Sequence, residues 1–150
     1  MLREMTDRFD SGILDTRSYN LGMIYAFAEC VGSGVKRLAL SPAMTEAQLE
    51  EIEGDLRLIA EEYGLVLHVD RDFLETRLFN PEYTRGRVVV HIAAEQGNID
   101  EYLGLKEYKA RHEDAETLTD AVEVEVAWRM GRLLSYSDEA IEGLLRNPRF

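Results

Sequence analysis

The sequence predicts an α/β fold: a small sheet of three or four strands, mostly parallel or mixed, with helices on its flanks. Three short runs rich in branched aliphatic residues, at 35–42, 65–70 and 88–94, are typical of buried strands. An amphipathic helical pattern separates the first two runs, and residues 115–150 have the pattern of a helical C-terminal segment. These observations indicate strands and helices that share one core.

The composition is that of a single globular domain covering residues 1–150. Hydrophobic residues make up 45% of the chain and charged residues 31%, which is too apolar for a disordered protein. No repeat, low-complexity tract or linker suggests a boundary within the chain. Residues 1–17 are charged and weakly patterned, and we expect them to form a loosely ordered N-terminal arm.

The charge and the residue types argue against several classes of function. The chain has 17 basic and 29 acidic side chains, a net charge of −12 that repels phosphate and anionic lipid, so neither nucleic acid nor a membrane is an expected partner. We expect a cytoplasmic location, since we find no apolar stretch of signal-peptide or membrane-span type. Cys30 is the single cysteine, which leaves His, Asp and Glu as metal ligands. The sequence identifies no cofactor.

The first helix is predicted from residue 18 to residue 32, followed by a strand over residues 35–42. Apolar side chains cover most of the circumference of this helix, which indicates that it is largely buried. Gly32 and Gly34 are expected to end it, because glycine readily adopts the left-handed conformation that closes a helix. Pro42 ends the strand.

The clearest element is a helix over residues 45–64. Thr45 and Gln48 form a capping-box pattern, and Gly64 stands at the position of a C-terminal cap. Five apolar residues recur at helical spacing: Leu49, Ile52, Leu56, Ile59 and Tyr63. With a second strand at 65–70, the pattern predicts a strand, helix, strand unit whose strands run parallel through a right-handed crossover.

The segment from 71 to 86 allows two interpretations. It forms either a short helix followed by a turn at Asn80-Pro81, or a continuing strand and a long hairpin loop. A third strand at 88–94 follows in both cases. The next helix, at about 99–112, is expected to be capped by Asn98 and Glu101.

The C-terminal region contains a stretch with two periodicities. Val122, Val124, Val126 and Trp128 alternate with acids and alanine as in a strand, which would make a fourth strand. No turn residue interrupts residues 115–134, however, and apolar residues also recur there at helical spacing, so we favour a helix. Ser137 should cap a last short helix that stops before Pro148.

Alternation within the strands brings three polar side chains together. If the second and third strands are neighbours and turn their most apolar faces to one core, then His68, Asp70 and His91 project from the opposite face. Two imidazoles and a carboxylate can hold Zn²⁺ or a similar ion, and one histidine oriented by Asp70 can act as a general base. The alternative is that they are buried polar residues, hydrogen-bonded to each other or to tyrosine hydroxyls.

A second candidate site follows from the predicted parallel topology. Ligands bind beyond the carboxyl ends of parallel strands, where the loops carry Ser41, Asp70, Arg71 and Asp72. A parallel third strand would add Glu95, Gln96 and Asn98 to that rim. Such a rim suits a small polar ligand or Mg²⁺, although Asp70 or Asp72 could simply cap a turn. Arg37 is a candidate anion clamp.

Two functions follow from these patterns, beside a third, a regulatory binding module for an acyl or nucleotide ligand, to which the sequence assigns no residue. The first is a self-associating α/β domain, a homo-oligomer to which the sequence assigns no activity, because a small sheet leaves edges that a second copy can cover. The alternative is a small metal-dependent or His/Asp-based hydrolase or lyase acting on a small polar substrate. It would use His68, Asp70 and His91 for catalysis or metal binding, and Arg37, Ser41 and Asp72 for the ligand.

Overall fold

The computed structural model describes Gly12 and residues 14–148. The predicted arm at 1–17 therefore lies mostly outside the described residues, and Thr16 and Arg17 belong to the first helix. The helices are α1 (Thr16–Gly32), α2 (Glu46–Tyr63), α3 (Gln96–Asp114), α4 (Asp120–Leu133) and α5 (Asp138–Arg146). The strands are β1 (Leu38–Leu40), β2 (Val66–Asp70) and β3 (Val89–Ala93), and a 3-10 turn spans Pro81–Tyr83.

The ends of α2 are those that the sequence predicts. The Thr45 hydroxyl accepts a hydrogen bond from the Gln48 backbone N–H, and the Gln48 side chain accepts one from the Thr45 N–H, so the capping box is complete. Gly64 has a φ of 66° and forms the left-handed C-cap. At the end of α1, Gly34 has a φ of 83° and takes the left-handed conformation, whereas Gly32 is the last helical residue.

The sheet corrects the predicted topology. It has three strands in the order β1-β3-β2, and both outer strands pair with β3 in the antiparallel direction. The expectation of a mostly parallel sheet is wrong, although β1 and β2 do run in the same direction on either side of β3. The reason lies in the segment between β2 and β3, which holds a 3-10 turn and no helix, so that β3 returns beside β2 as a hairpin.

The connection from β2 to β3 decides between the two interpretations of residues 71–86. It is a long hairpin loop without a continuing strand, and the predicted short helix is absent from it. Asn80 caps the 3-10 turn by accepting a hydrogen bond from the Glu82 N–H at 3.1 Å. Phe73, Leu74 and Leu78 of this loop are buried in the core, which explains why their spacing resembles that of a helix.

Helices cover both faces of the sheet. One face packs on α1 and α2 through residues that include Val88, Val90 and Ile92. The other packs on α3, α4, α5 and the β2–β3 loop, and it carries Val89 and Ala93. Because β3 is buried on both sides, its sequence is a nearly continuous apolar run rather than an alternating one.

The structure contains the remaining helices that the sequence predicts, but one predicted N-cap residue is wrong. Residues 122–128 lie within α4, whose N-cap Thr119 accepts a hydrogen bond from the Val122 N–H, so the strand alternative is wrong. Ser137 caps α5 as expected. Asn98 does not cap α3, because that helix already begins at Gln96 and Asn98 lies buried within its first turn. Among the described residues, no helix combines the length and apolar character needed for a membrane span.

Candidate functional site

His68 and His91 face each other across the β2–β3 pair. They are partners in the strand register, and their ring centroids lie 5.5 Å apart on the same face of the sheet. Asp70 is two residues further along β2 on that face. The prediction that these three side chains share one face of the sheet is confirmed. Residues that pair across neighbouring strands point to the same face, whether the strands run parallel or antiparallel.

His91 is a buried imidazole without a hydrogen bond. Its exposed fraction is 0%, and neither Nδ1 nor Nε2 has a hydrogen-bond partner among the residues that the structure describes. The rings of Tyr102 and Phe73 lie against it, with centroids at 4.1 and 5.8 Å. Burial lowers the pKa of His91 to about 4, and the charge of Asp70 and the nearby His68 backbone oppose this shift only in part. His91 is therefore neutral near pH 7.

Asp70 is the centre of a buried polar network. The Tyr102 hydroxyl donates to Oδ2 at 2.6 Å, and the Asp72 backbone N–H donates to Oδ1 at 2.9 Å. The Lys106 ammonium lies 3.2 Å from Oδ1 and 3.3 Å from Oδ2, and it also donates to the Asp72 carbonyl. Asp70 thus caps the turn that follows β2, as the sequence allowed, and it does so while bound to a tyrosine and a lysine.

The network keeps the carboxylate charged and the phenol neutral. Burial alone would raise the pKa of Asp70, but the hydrogen bonds from Tyr102 and the Asp72 backbone, together with the charge of Lys106, lower it below its ordinary value. Burial, with the hydrogen bond to Asp70 as the second cause, raises the pKa of Tyr102. Tyr102 is therefore a hydrogen-bond donor to an anion.

The three predicted ligands are close enough together to hold a metal ion after a small adjustment. One donor atom from each of His68, Asp70 and His91 lies within 4.8 Å of the other two. In a tetrahedral zinc site with bonds of about 2.0–2.2 Å, donor atoms lie roughly 3.3–3.5 Å apart. Rotations of the two imidazoles that close these separations by up to about 1.4 Å would meet that geometry, since hydrogen bonds hold Asp70 in place. The half-buried His68 lies nearest to solvent.

The three predicted ligand-binding residues, Arg37, Ser41 and Asp72, have different surroundings. Arg37 precedes β1 and lies beside the end of β3, where it pairs with Glu101 of α3 at 3.1 Å, whereas Asp70 pairs with Val89 at the start of β3. The buried Ser41 hydroxyl accepts a hydrogen bond from the Val90 N–H at 2.8 Å and donates one to the Pro42 carbonyl at 2.9 Å. Both hydrogen bonds stabilise the backbone at the end of β1. Asp72 alone lies at the site, where its backbone groups contact Asp70 and Lys106.

Ser41, Asp70, Arg71 and Asp72 lie at the carboxyl ends of β1 and β2, at one end of the sheet, but the parallel third strand that would have widened this predicted rim is absent. Glu95, Gln96 and Asn98 follow β3, and β3 runs opposite to β1 and β2. These residues consequently lie at the end of the sheet opposite to Asp70 and Asp72.

Sequence reasoning missed Tyr102 and Lys106. They stand four residues apart on α3, and therefore on one helix face, which packs over the side of the sheet that carries the histidines. That spacing was the available signal. It could not be assigned to the site, because the sequence does not say which face of the sheet α3 covers.

Comparison with protein-family models, with curated proteins and with solved structures gives no match for this chain. No relative therefore contributes a function, and the chemistry of the site has to supply it.

Proposed function

We propose that this protein binds a divalent metal ion of the zinc class through His68, Asp70 and His91, and that the ion supports a small hydrolase or lyase activity. The observation that carries the proposal is His91, a fully buried imidazole whose two nitrogens find no hydrogen-bond partner within Gly12 and residues 14–148. A buried polar group without a hydrogen bond costs about 1–3 kcal/mol, so natural proteins rarely keep one without a function.

The protonation states support metal binding. A metal ligand must be deprotonated, and burial already holds His91 neutral, with a pKa of about 4. Asp70 is an anion at neutral pH, because its hydrogen bonds and Lys106 lower its pKa. Imidazole and carboxylate together suit Zn²⁺ and related ions.

Tyr102 supplies the support that metal sites usually require. Its hydroxyl donates to Asp70 at 2.6 Å and accepts from the Leu74 N–H at 2.9 Å, so the carboxylate is held in one orientation. Such outer hydrogen bonds orient metal ligands and contribute to affinity. Lys106 acts in the opposite sense, since its ammonium already occupies both oxygens of Asp70 and competes with an ion.

Three protein ligands leave a fourth position of a tetrahedral ion for water, which is the arrangement of catalytic rather than structural zinc sites. An ion of this kind lowers the pKa of bound water and polarises carbonyl groups. Beside the network, a surface cavity of about 370 Å³ is lined by residues that include Asp72, Phe73 and Lys106, a volume suited to a small molecule.

Zinc binding tests the proposal directly. Protein stripped with EDTA is dialysed against Zn²⁺, and the bound zinc per chain is measured; Co²⁺ absorption reports whether the geometry is tetrahedral. We expect one ion per chain in the unaltered protein and a loss of binding of at least tenfold in affinity in both His68→Ala and His91→Ala. His112→Ala is the matched control, because His112 is the third histidine of the chain and lies on the outside of α3, bonded to Thr117.

The outcomes separate clearly. Equal zinc binding in all three variants, or none in the unaltered protein, would overturn the metal site.

The activity is tested by hydrolysis of p-nitrophenyl acetate and p-nitrophenyl phosphate by the zinc-loaded protein. We expect a zinc-dependent rate that His91→Ala abolishes, and a rate that survives this substitution would contradict a role for the site in hydrolysis.

Self-association remains a second proposal. A specific observation favours it: the outer edge of β2 offers a surface on which a second copy could pair.

A further inference from the structure

We propose that two copies of this chain pair along the outer edges of their β2 strands, in antiparallel register about a two-fold axis at His68, to form one continuous six-stranded sheet. This interface does not depend on the proposed metal site. It is argued from the hydrogen bonding of the sheet, the residues of β2 and the register that a symmetric pair would adopt.

The hydrogen bonding of β3 shows which groups of β2 point outwards. Towards β1, the Val90 carbonyl accepts from the Ser41 N–H and the Val88 carbonyl from the Met44 N–H, while the Ala94 N–H donates to Arg37. In an antiparallel ladder, alternate residues face opposite neighbours, so Val89, His91 and Ala93 face β2. Their register partners are Asp70, His68 and Val66.

It follows that the N–H and C=O groups of Leu67 and Val69 point away from β3. Among the described residues, no other backbone group hydrogen-bonds to them. Both side chains are only partly buried, so apolar surface accompanies the free backbone groups. An edge of this kind is a template for pairing with another strand.

The edge of β2 lacks the features that usually prevent pairing. Its five residues contain neither proline nor lysine, and the pairing with β3 is continuous, without a bulge. Its one charged side chain, Asp70, is turned into the buried network rather than outwards. The opposite edge differs, because β1 has only three residues and Pro42 follows shortly after it.

The occupant that fits best is a second copy, since the strand is complementary to itself. With His68 on the axis, Leu67 lies opposite the partner's Val69, and the four outward groups of each copy, an N–H and a C=O on Leu67 and on Val69, pair in about four hydrogen bonds. Val66 then lies opposite the partner's Asp70. Along β2, no two acidic or two basic side chains face each other, so no like-charge pair opposes the contact.

The register has a consequence for the candidate site. His68 and the partner's His68 form a non-hydrogen-bonded pair, in which Cα atoms lie about 4.5 Å apart and side chains approach closely. Because His68 lies 5.5 Å from His91 by ring centroids, four imidazoles would line up across one face of the joined sheet. The partner would thereby cover the solvent-facing side of His68.

Sedimentation equilibrium and amide hydrogen exchange test the interface, both in EDTA so that metal binding does not enter the result. We expect a dimer, with slow exchange of the Leu67 and Val69 amides. Val69→Pro removes an outward donor without breaking a bond to β3, a place where an edge strand tolerates proline, and we expect a monomer with unchanged circular dichroism. Leu58→Ser is the matched control, because Leu58 is 64% exposed on the surface of α2; it should remain a dimer.

A monomer at the highest attainable concentration would overturn the proposal. So would a dimer in which the Leu67 and Val69 amides exchange as fast as those of free strands, or a dimer that Leu58→Ser dissociates, since the contact would then lie elsewhere. The exchange of the two amides in the unaltered protein decides the question even if Val69→Pro fails to fold. Zinc binding by a monomer would leave the metal site standing and remove only this interface.

Discussion

The hydroxyl of Tyr102 lies 2.6 Å from Oδ2 of Asp70 and is buried with it. The Tyr102 hydroxyl oxygen also accepts a hydrogen bond from the Leu74 N–H at 2.9 Å, so Tyr102 connects α3, the end of β2 and the loop that follows β2. The ring of Tyr102 also packs on His91, with centroids at 4.1 Å. Tyr102 thus contacts both the polar network of Asp70 and the buried ring of His91.

Tyr102→Phe tests this connection. The substitution keeps the ring but leaves the Leu74 N–H without its acceptor and Asp70 without its shortest hydrogen bond, so we expect the free energy of unfolding to fall by about 2–4 kcal/mol. Urea denaturation measures it. Tyr83→Phe is the control, because Tyr83 is 44% exposed and its hydroxyl makes no hydrogen bond to another described residue, and its effect should stay below about 0.5 kcal/mol. Equal effects of the two substitutions would show that the connection contributes nothing.

The stability of the metal-free protein should depend on pH through His91. Its pKa is lowered from 6.5 to about 4 by burial, so between these values the unfolded chain takes up a proton that the folded protein does not. The contribution of neutral His91 is therefore complete above pH 6.5 and declines as the pH falls to about 4, by roughly 3 kcal/mol in total. Asp70, whose pKa is also lowered, adds a further loss only below its ordinary value of 3.8.

His91→Phe isolates this effect. The variant has no titrating group at that position, so its stability should change less between pH 7 and pH 4 than that of the unaltered protein, and thermal denaturation in EDTA measures the difference. His112→Gln should keep the original pH dependence, because His112 lies outside the core. Parallel stability curves for His91→Phe and the unaltered protein would contradict a neutral, buried His91.

Lys106→Met tests whether the lysine competes with a metal ion. Without zinc, removal of the ammonium leaves the 5% exposed Asp70 without a counter-charge and should destabilise the fold by about 3 kcal/mol. With zinc, the freed carboxylate should bind the ion roughly tenfold more tightly, a gain of about 1.4 kcal/mol. The measurement is the rise in melting temperature on adding zinc, which should be larger in the variant. A smaller rise would mean that Lys106 assists binding.

Gly131→Ala tests the packing of α4 on α5. A Cβ at position 131 would lie 2.6 Å from Cγ1 of the fully buried Ile141, so the two helices must separate or Ile141 must leave its position. We expect a net loss of about 1–3 kcal/mol from overpacking. Gly104→Ala in α3 meets no atom within 4 Å and should instead stabilise the protein by about 0.5–1 kcal/mol. Chemical denaturation of both variants should therefore give effects of opposite sign.

Local patterns predicted the elements and the shared face of the histidines. The capping box of α2 depends only on residues near one another in sequence, and the shared face of His68, Asp70 and His91 follows from strand alternation once β2 and β3 are neighbours. The antiparallel order could not be predicted in this way. It depends on the loop from 71 to 88, whose buried Phe73, Leu74 and Leu78 have a helical spacing without forming a helix.

The partners of the site were hidden for a different reason. Tyr102 and Lys106 have the spacing of any two residues on one face of a helix. Only the packing of α3 over the sheet shows that this face contacts the site. The unpartnered nitrogens of His91 were likewise invisible, since the pattern placed the ring on a covered face but could not say what would lie around it.

The position of β3 also constrains how the chain folds during synthesis. β3 is the last strand to emerge from the ribosome, yet it is the one that both earlier strands pair with. Until residue 93 has been synthesised, β1 and β2 have no strand to pair with, and their apolar side chains stay exposed. Nascent chains that stop before β3 should therefore contain helices but no sheet, and folding should be completed late and in one cooperative step.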